Sequence, residues 1–358
     1  MRDESYSGIS ASAPPPKPGT ERFVHEVAEL AWRNGLTANS IAARLGGPGM
    51  IMQVKRALAK AVREGILVLK PPITDEYAAR LREQTRFKAV DYTVVRTDHF
   101  HELQAICAVT SELIGDKITA LVKERPAPSE IIIANAGGRA LSEAVRLLHK
   151  NPPLIGPYDG KRLTFLALNS AGRRRNFDQS SNFLAVRLAE IFGGHHIAIL
   201  DHTDPTVERE YAGKVKNIDL LLCGAGGLDS LLIEHAREQQ VPVPDHVVGD
   251  FAFIPLDSDG RTVETPGLHK VLAKLSPHPD YSEILRIARD PTKAVLVVFS
   301  EHGSKLEIAQ AVLTAGLVTH CVLSLSLANR LIDFLGQHSG KRRESAVTGR
   351  RKRGTPKT

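Results

Sequence analysis

From residue 92 onward the chain switches repeatedly between two hydrophobic periods, and this alternation constrains the fold more than any other feature. Apolar, β-type runs occur at Tyr92–Val95, Ile131–Ala134, Leu163–Leu168, His196–Leu200, Ile218–Cys223, Phe251–Pro255, Ala294–Phe299 and Cys321–Leu325. Stretches with helical spacing separate many of them: His101–Lys123, Ala140–Lys150, Asn182–Phe192, Asp229–Glu238, Tyr281–Arg289, Ser304–Ala315 and Ser326–Leu335. A strand that is apolar throughout has no face to offer water, so it must lie in a sheet covered on both sides. Helices of this length can carry the parallel crossovers. The sequence predicts a doubly wound α/β domain over about residues 88–336. A chain of 358 residues leaves room for a second, smaller domain.

That smaller domain is predicted at residues 21–70. Phe23, Val24, Val27, Leu30 and Ala31 recur at helical spacing, and Asn34-Gly35 supplies a stop. Thr37 or Ser40 can cap a short helix, Ile41–Leu45, which Gly46-Gly47-Pro48-Gly49 breaks. A third helix, Met50–Glu64, carries Val54, Leu58 and Ala61 on one face. Gly65 ends it, and Ile66–Leu69 reads as a short strand. This is the order of a winged helix-turn-helix. Ala42 is small where two helices must cross closely. A standard turn would place the buried anchor six residues after Gly46, at Met52. The downstream register instead selects Val54, which implies about two extra residues in the turn. Thr37, Gln53, Lys55, Arg56 and Lys60 are the candidate DNA contacts: Gln and Arg can read base edges, and Lys can neutralise phosphate. The same pattern also fits a small helical cap domain with a solvated basic face. Residues 71–87 are predicted as a linker helix.

The formal charge is +7, from 47 basic and 40 acidic residues. The stretch Lys341–Thr358 holds eight basic residues and one acid, so it accounts for the whole excess, and residues 1–340 sum to zero. Residues 21–70 hold eight basic and four acidic residues, a local excess on the predicted DNA-binding domain. Residues 1–20, with four prolines, are predicted as a disordered leader. Residues 337–358 are predicted as a disordered basic tail, which either touches nucleic acid or is simply solvated. Cys107, Cys223 and Cys321 lie too far apart for a CxxC pair, so neither a zinc site nor a disulfide framework is expected. A reducing cytoplasm fits this cysteine usage. No apolar run approaches 18 residues, and the start, Met-Arg-Asp-Glu-Ser, has no apolar core of a secretory signal.

Several segments, taken in order, resemble the SorC family of bacterial sugar-responsive transcriptional regulators. GLTANSIAARLG (35–46) followed by VKRALAKAVREGILVL (54–69) is similar to that family's helix-turn-helix. IIIANAGGRAL (131–141), SSNFLAVRLAEIFGG (180–194), IDLLLCGAGG (218–227), VVGDFAFIPLDSDGRTV (247–263) and SKLEIAQAVLTAGLVTHCVLSLSLANRLI (304–332) are similar to successive pieces of its effector domain. The resemblance runs through most of residues 22–335. It implies an effector domain similar to sugar-phosphate isomerases and glucosamine-phosphate deaminase, with a phosphorylated sugar bound beyond the carboxyl ends of the strands. It also implies roles for Asn182, Asp250 and Lys305 at that site: Lys305 as a phosphate partner or simply a solvated lysine, and Asp250 as a partner for a sugar hydroxyl or only a cap for its loop. The departures are specific. Gly137 stands where the family has a bulky residue, Ala140 where it has a threonine, Ser170 where an arginine is common, and Ser324 where it has an aspartate. They leave the identity of the effector open, and the run Arg173–Arg175 can either supply a replacement cation or form a solvated loop.

Local chemistry points to the same place without the resemblance. Gly137-Gly138 follows an apolar strand and precedes a helix, where glycine allows close backbone approach and helix-start amides attract anions. Arg139 can add charge-assisted bonds. Gly224 opens a second glycine loop at a strand end. The plain alternative is that these glycines only make tight βα turns.

The resulting expectation is a DNA-binding transcriptional regulator with a small effector, most simply a phosphorylated sugar. Its partners are a double-stranded DNA operator and the effector, and it is expected to act as a homodimer or homotetramer without metal, cofactor or catalytic residues. The rival expectation is an isomerase- or deaminase-type enzyme on the same fold. Its best candidates for proton transfer are His195-His196 and Asp201-His202-Asp204. A protein-interaction adaptor is the third class.

Overall fold

The computed structural model describes residues 16–335 apart from 34–35, 65–70, 85–89, 98–101, 151, 154–156, 161, 170–176, 200–204, 276–279 and 300–304. The chain divides into two units, Met1–Lys70 and Pro71–Thr358.

The first unit contains α1 (Glu21–Arg33), α2 (Ala38–Leu45) and α3 (Ile51–Arg63). Phe23, Val24 and Val27 of α1, Ile41, Ala42 and Leu45 of α2, and Val54, Ala57 and Ala61 of α3 form one apolar core. Residues 16–20, within the stretch expected as a leader, are described. Pro18 and Gly19 form a turn closed by the Thr20 amide, which donates to the Lys17 carbonyl at 3.3 Å, and Thr20 Oγ1 accepts from the Phe23 amide at 3.2 Å, capping α1. Thr37 caps α2 by accepting from the Ser40 amide at 3.2 Å, so this helix starts three residues ahead of the expected Ile41. The lengthened turn is a 3₁₀ turn, Pro48–Met50, inserted between α2 and α3. It turns Val54 fully inward and leaves Met52 58% exposed, as the downstream register requires. The strand expected at Ile66–Leu69 lies outside the described residues.

The second unit contains β1 (Asp91–Val95), β2 (Ile131–Asn135), β3 (Leu163–Ala167), β4 (His195–Ile197), β5 (Leu220–Gly226), β6 (Val247–Phe251), β7 (Ile254–Asp257), β8 (Ala294–Phe299) and β9 (His320–Ser324). The main sheet has the order β1-β9-β8-β5-β2-β3-β4, and every neighbouring pair is parallel. Alternate residues of each strand enter opposite layers. Ile132, Ala134, Leu221, Cys223, Val295 and Val297 join one core, and Ile131, Ile133, Leu220, Leu222, Leu296 and Val298 join the other. The second layer is completed by α5 (Glu102–Glu124), α6 (Arg139–Lys150) and α8 (Ser181–Phe192). The first is completed by α9 (Pro205–Val215), α12 (Tyr281–Arg289), α13 (Lys305–Ala315) and the helical residues 325–335. Helices therefore cover both faces, which is the doubly wound arrangement.

Three features differ from the sequence expectation. The run Phe251–Pro255 is a hairpin rather than one strand: β6 and β7 pair antiparallel, with Phe251 opposite Ile254. Ala252 and Phe253 make the turn at φ of 49° and 68°, a conformation that usually selects Asn or Gly. The connecting helix, α4 (Asp75–Gln84), buries Ala78 and Leu81 in the core of the second unit, so it is a structural element as well as a connector. Finally, α9, α11 (Pro266–Leu275) and the single turn α7 (Pro157–Gly160) occupy stretches with no helix expected; α10 (Leu231–Glu238) pairs with α11. Among the described residues no helix is long and apolar enough to cross a membrane.

Candidate functional site

The sheet order places a topological switch between β2 and β5. From β2 the chain winds outward through β3 and β4; from β5 it winds the other way through β8 and β9. The crossovers leave such a point in opposite directions and open a crevice beyond the carboxyl ends of the strands. A cavity of about 830 Å3 lies there, within the range of small-molecule sites. Its wall takes Ala136–Leu141 from the β2–α6 turn, Asn169 beyond β3, Gly224–Gly226 from β5, Asp250 from β6 and Lys305 from the start of α13.

Six of the seven effector residues expected from sequence line this cavity: Gly137, Gly138, Arg139, Gly224, Asp250 and Lys305. The seventh, Asn182, is not among the lining residues. Its Nδ2 donates to the Ile199 carbonyl at 2.6 Å and its Oδ1 accepts from the Ile199 amide at 2.8 Å. The side chain thus imitates a strand partner and ties α8 to the chain just past β4.

The glycines at the β2–α6 turn do more than turn the chain. Gly137 has φ of 74°, and a β-carbon on it would stand 2.8 Å from the Gln179 carbonyl oxygen and 2.9 Å from the Ser181 amide. The adjacent turn 177–181 is held this close by the Gly138 amide, which donates to the Gln179 carbonyl at 2.9 Å, and by Ser142 Oγ, which donates to the Asp178 carbonyl at 2.9 Å. The Gly138 amide is therefore already engaged. The anion-attracting groups left at this end are the first amides of α6 and the exposed Arg139. On the facing wall, a β-carbon on Gly226 would fall 2.7 Å from an Asp250 carboxylate oxygen, so this glycine lets β5 lie against Asp250.

Asp250 and Lys305 form the electrostatic centre. Lys305 Nζ donates to the Ala225 carbonyl. Burial pushes the Asp250 carboxyl up to about 7, against the pull of the Lys305 charge and a hydrogen bond with Ser230; the Asp229 charge adds to the rise. Burial also lowers the Lys305 ammonium, against the attraction of Asp229 and Asp250. The two shifts agree: desolvation favours the neutral form of each partner more than their mutual attraction favours the ions. Such a pair is poised to gain from a ligand that supplies new polar contacts.

Sequence reasoning passed over Asn169, Asp229, Ser230, Glu234 and Phe253, which also line the cavity. Asn169 and Phe253 are brought there by the crossovers and the hairpin, whereas Asp229 and Ser230 follow directly on the Gly224–Gly227 loop. A visible signal did exist for Ser230, which caps α10 by accepting from the Ile233 amide. Ser170 and Arg173–Arg175 lie outside the described residues. Ser324 is fully buried and accepts from the Leu327 amide at 3.1 Å, so it caps the closing helix. His195 and His196 belong to β4 at the edge of the sheet and are not among the lining residues, while Asp201, His202 and Asp204 lie outside the described residues. Among the described residues no group of three or more His, Cys, Asp or Glu side chains converges as metal ligands.

On the first unit, Lys55 and Arg56 are exposed on α3 and make no hydrogen bond or ion pair among the described residues. Met52 and Ala59 continue the same exposed face. Gln53 is more committed: with its amide turned so that the nitrogen faces them, it reaches the carbonyls of Gly49 at 2.9 Å and Met50 at 3.1 Å and braces the turn. Lys60 pairs with Glu64 at 3.6 Å, and the Thr37 hydroxyl caps α2. Lys55 and Arg56 are therefore the side chains best placed to meet a partner.

No family model matches the chain, and no curated protein matches it in sequence. Solved structures do match in fold. The full-length sorbitol operon regulator SorC from Klebsiella pneumoniae superimposes with a TM-score of 0.55 at 16% identity, covering 87% of this chain and 98% of that one. A DeoR family transcriptional regulator from Listeria monocytogenes gives 0.53 at 17% identity, over 72% of this chain and 99% of that one. A transcriptional regulator from Streptococcus pneumoniae gives 0.55 at 15% identity, over 73% and 99%. At these identities the likeness is one of fold: this chain shares the architecture of bacterial transcriptional regulators that include a full-length sorbitol operon regulator.

Proposed function

We propose that the chain is a DNA-binding transcriptional regulator of the SorC type, whose operator affinity is set by a phosphorylated sugar bound in the switch-point cavity. The observation that carries this reading is one chain holding both parts: a helix-turn-helix with an exposed Lys55–Arg56 face, and a ligand-sized cavity with cations at its wall. In this reading α3 enters the major groove, with Arg56 at base edges and Lys55 at phosphates. The α6 amides, Arg139 and Lys305 receive the phosphate, and Asp250 receives a sugar hydroxyl. A symmetric operator needs paired modules, so the working form is a homodimer or homotetramer in the cytoplasm. Effector binding shifts operator affinity by its differential affinity for two arrangements of the protein.

The test joins DNA selection to ligand screening. Full-length protein is used to select operators from random duplexes. Fluorescence anisotropy on the selected duplex then follows titration with hexose 6-phosphates. A change in operator affinity at constant salt supports the reading. Selective binding of duplex DNA with no response to any phosphorylated or free sugar counts against the effector half.

One observation favours an enzyme instead. A buried carboxyl with a pKa of about 7 inside a ligand-sized cavity has the properties of a general acid or base, and Asp250 is such a group. Turnover of a bound sugar phosphate, lost in Asp250→Asn, would establish that reading.

A further inference from the structure

Asn169 stands apart from the other polar groups of the cavity. It is only 2% exposed, yet it lines the cavity wall. It lies two residues beyond β3, in a stretch held by the neighbouring strand: the Leu168 amide donates to the Asn135 carbonyl at 3.0 Å and to Ser181 Oγ at 2.8 Å. Its Nδ2 donates to the Ala136 carbonyl at the end of β2. A carbonyl accepts only from the nitrogen end of an amide, so this bond fixes the orientation of the group. Oδ1 is left without a partner among the described residues, on a side chain that forms part of the cavity wall. An amide oxygen at a cavity wall with no protein donor is open to a donor carried by a ligand.

The surroundings narrow what that donor is. Asp229, Glu234, Glu238 and Asp250 line the same cavity and also present acceptors, whereas the cations are two, Arg139 and Lys305. A ligand that satisfies this cavity needs hydrogen-bond donors as well as one anionic end.

We propose that Asn169 is a ligand-contact residue that accepts a hydrogen bond from a hydroxyl group of the effector, so that the cavity selects a polyhydroxylated ligand by the position of that hydroxyl. This rests on the cavity being the effector site. It adds a specificity residue that the glycine turns, Asp250 and Lys305 do not supply. Because the side chain is anchored at its nitrogen, the acceptor is held rigidly, and a hydroxyl displaced by one carbon or inverted in configuration misses it.

The test uses isothermal titration calorimetry on the full-length protein. The probes are hexose 6-phosphates and hexitol 6-phosphates, the singly deoxygenated analogues of each, and inorganic phosphate. For the tightest probe, removal of one particular hydroxyl is expected to weaken binding by about 10-fold in the native protein. Asn169→Leu is expected to weaken the parent probe by a similar factor and to abolish the penalty for that one deoxy position, leaving the others unchanged. Circular dichroism melts verify that the variant folds. Where it does not, Asn169→Ser serves in its place with the same comparison across hydroxyl positions. The proposal is overturned if every deoxy penalty persists in the variant, if inorganic phosphate binds as tightly as any sugar phosphate, or if no hydroxylated probe binds at all. The outcomes separate this proposal from the regulatory reading. Position-specific coupling with unaltered DNA affinity would leave Asn169 in place and remove the regulation. Absence of probe binding would remove the contact while DNA binding by α3 stays measurable.

Discussion

Replacing Asp250 by Asn should stabilise the unliganded protein, by an amount that grows with pH. In the unfolded chain this carboxyl titrates at its ordinary value of 3.8, and in the folded protein burial pushes it up to about 7. The folded state therefore holds a proton that the unfolded state releases. The stability from that proton is complete below about pH 4 and is lost as pH rises through 7. Each tenfold change in proton affinity is worth about 1.4 kcal/mol, so the full penalty above pH 8 is about 4 kcal/mol. At 6% exposure the side chain has little solvent to screen it. At pH 5 less than half of the penalty has accrued, so the gap between variant and native protein should widen by about 2–3 kcal/mol from pH 5 to pH 8. For a domain of this size that is about 5–10 °C in Tm. Circular dichroism melts of both proteins at pH 5, 6, 7 and 8, in buffers without phosphate, measure it. Titrating groups that do not face Asp250 are common to the two proteins and cancel in the difference, whereas Lys305, which the Asp250 charge acts on, does not. A Tm gap that stays constant across this range would refute the reasoning, because it would mean that Lys305 keeps Asp250 ionised throughout.

Three further substitutions probe the remaining parts. Gly137→Ala places a β-carbon within 2.9 Å of two backbone atoms at a left-handed φ, and should destabilise the protein by about 2–4 kcal/mol in denaturant unfolding; an unchanged midpoint would show that the turn 177–181 moves aside freely. Asn182→Ala removes both bonds to Ile199 and should cost about 2 kcal/mol of stability while leaving the affinity for a sugar-phosphate probe unchanged; a selective loss of affinity would return Asn182 to the ligand site. Arg56→Ala removes an exposed charge from α3, and should weaken operator binding and reduce the salt slope of log K by about one unit, with an unaltered melting curve; an unchanged slope would mean that another face of the unit meets DNA.

Much of the fold was legible because both periods are dictated locally. Runs such as Ile131–Ile133 and Leu220–Leu222 have no polar face, so they had to become interior strands whatever their neighbours were. The three-helix order of the first unit was legible in the same way: Val54, Leu58 and Ala61 were read as one face of α3, which selected Val54 over Met52, and in the structure Val54 and Ala61 are buried with Ala57 while Leu58 is only partly buried. Legibility stopped where a residue's conformation is imposed from outside. Ala252 and Phe253 carry no turn signature, so the β6–β7 hairpin read as a single strand. Pro205 and Pro266 open α9 and α11 as first-turn prolines, a signal that was present and passed over.

The order of elements, the covered parallel sheet and the glycine turns at strand ends were written into the chain, because each follows from hydrophobic period and backbone freedom within a few residues. Which residues meet is a matter of tertiary structure. The reversal of winding between β2 and β5 brings Arg139, Asn169, Asp250 and Lys305, which lie up to 166 positions apart, to one cavity. The same reversal leaves Asn182 outside it as a clamp on Ile199. The charge state of Asp250 is also a tertiary property. A carboxyl on an unfolded chain has its ordinary pKa, and burial in the fold, helped by the Asp229 charge, moves it to about 7 in spite of the nearby Lys305.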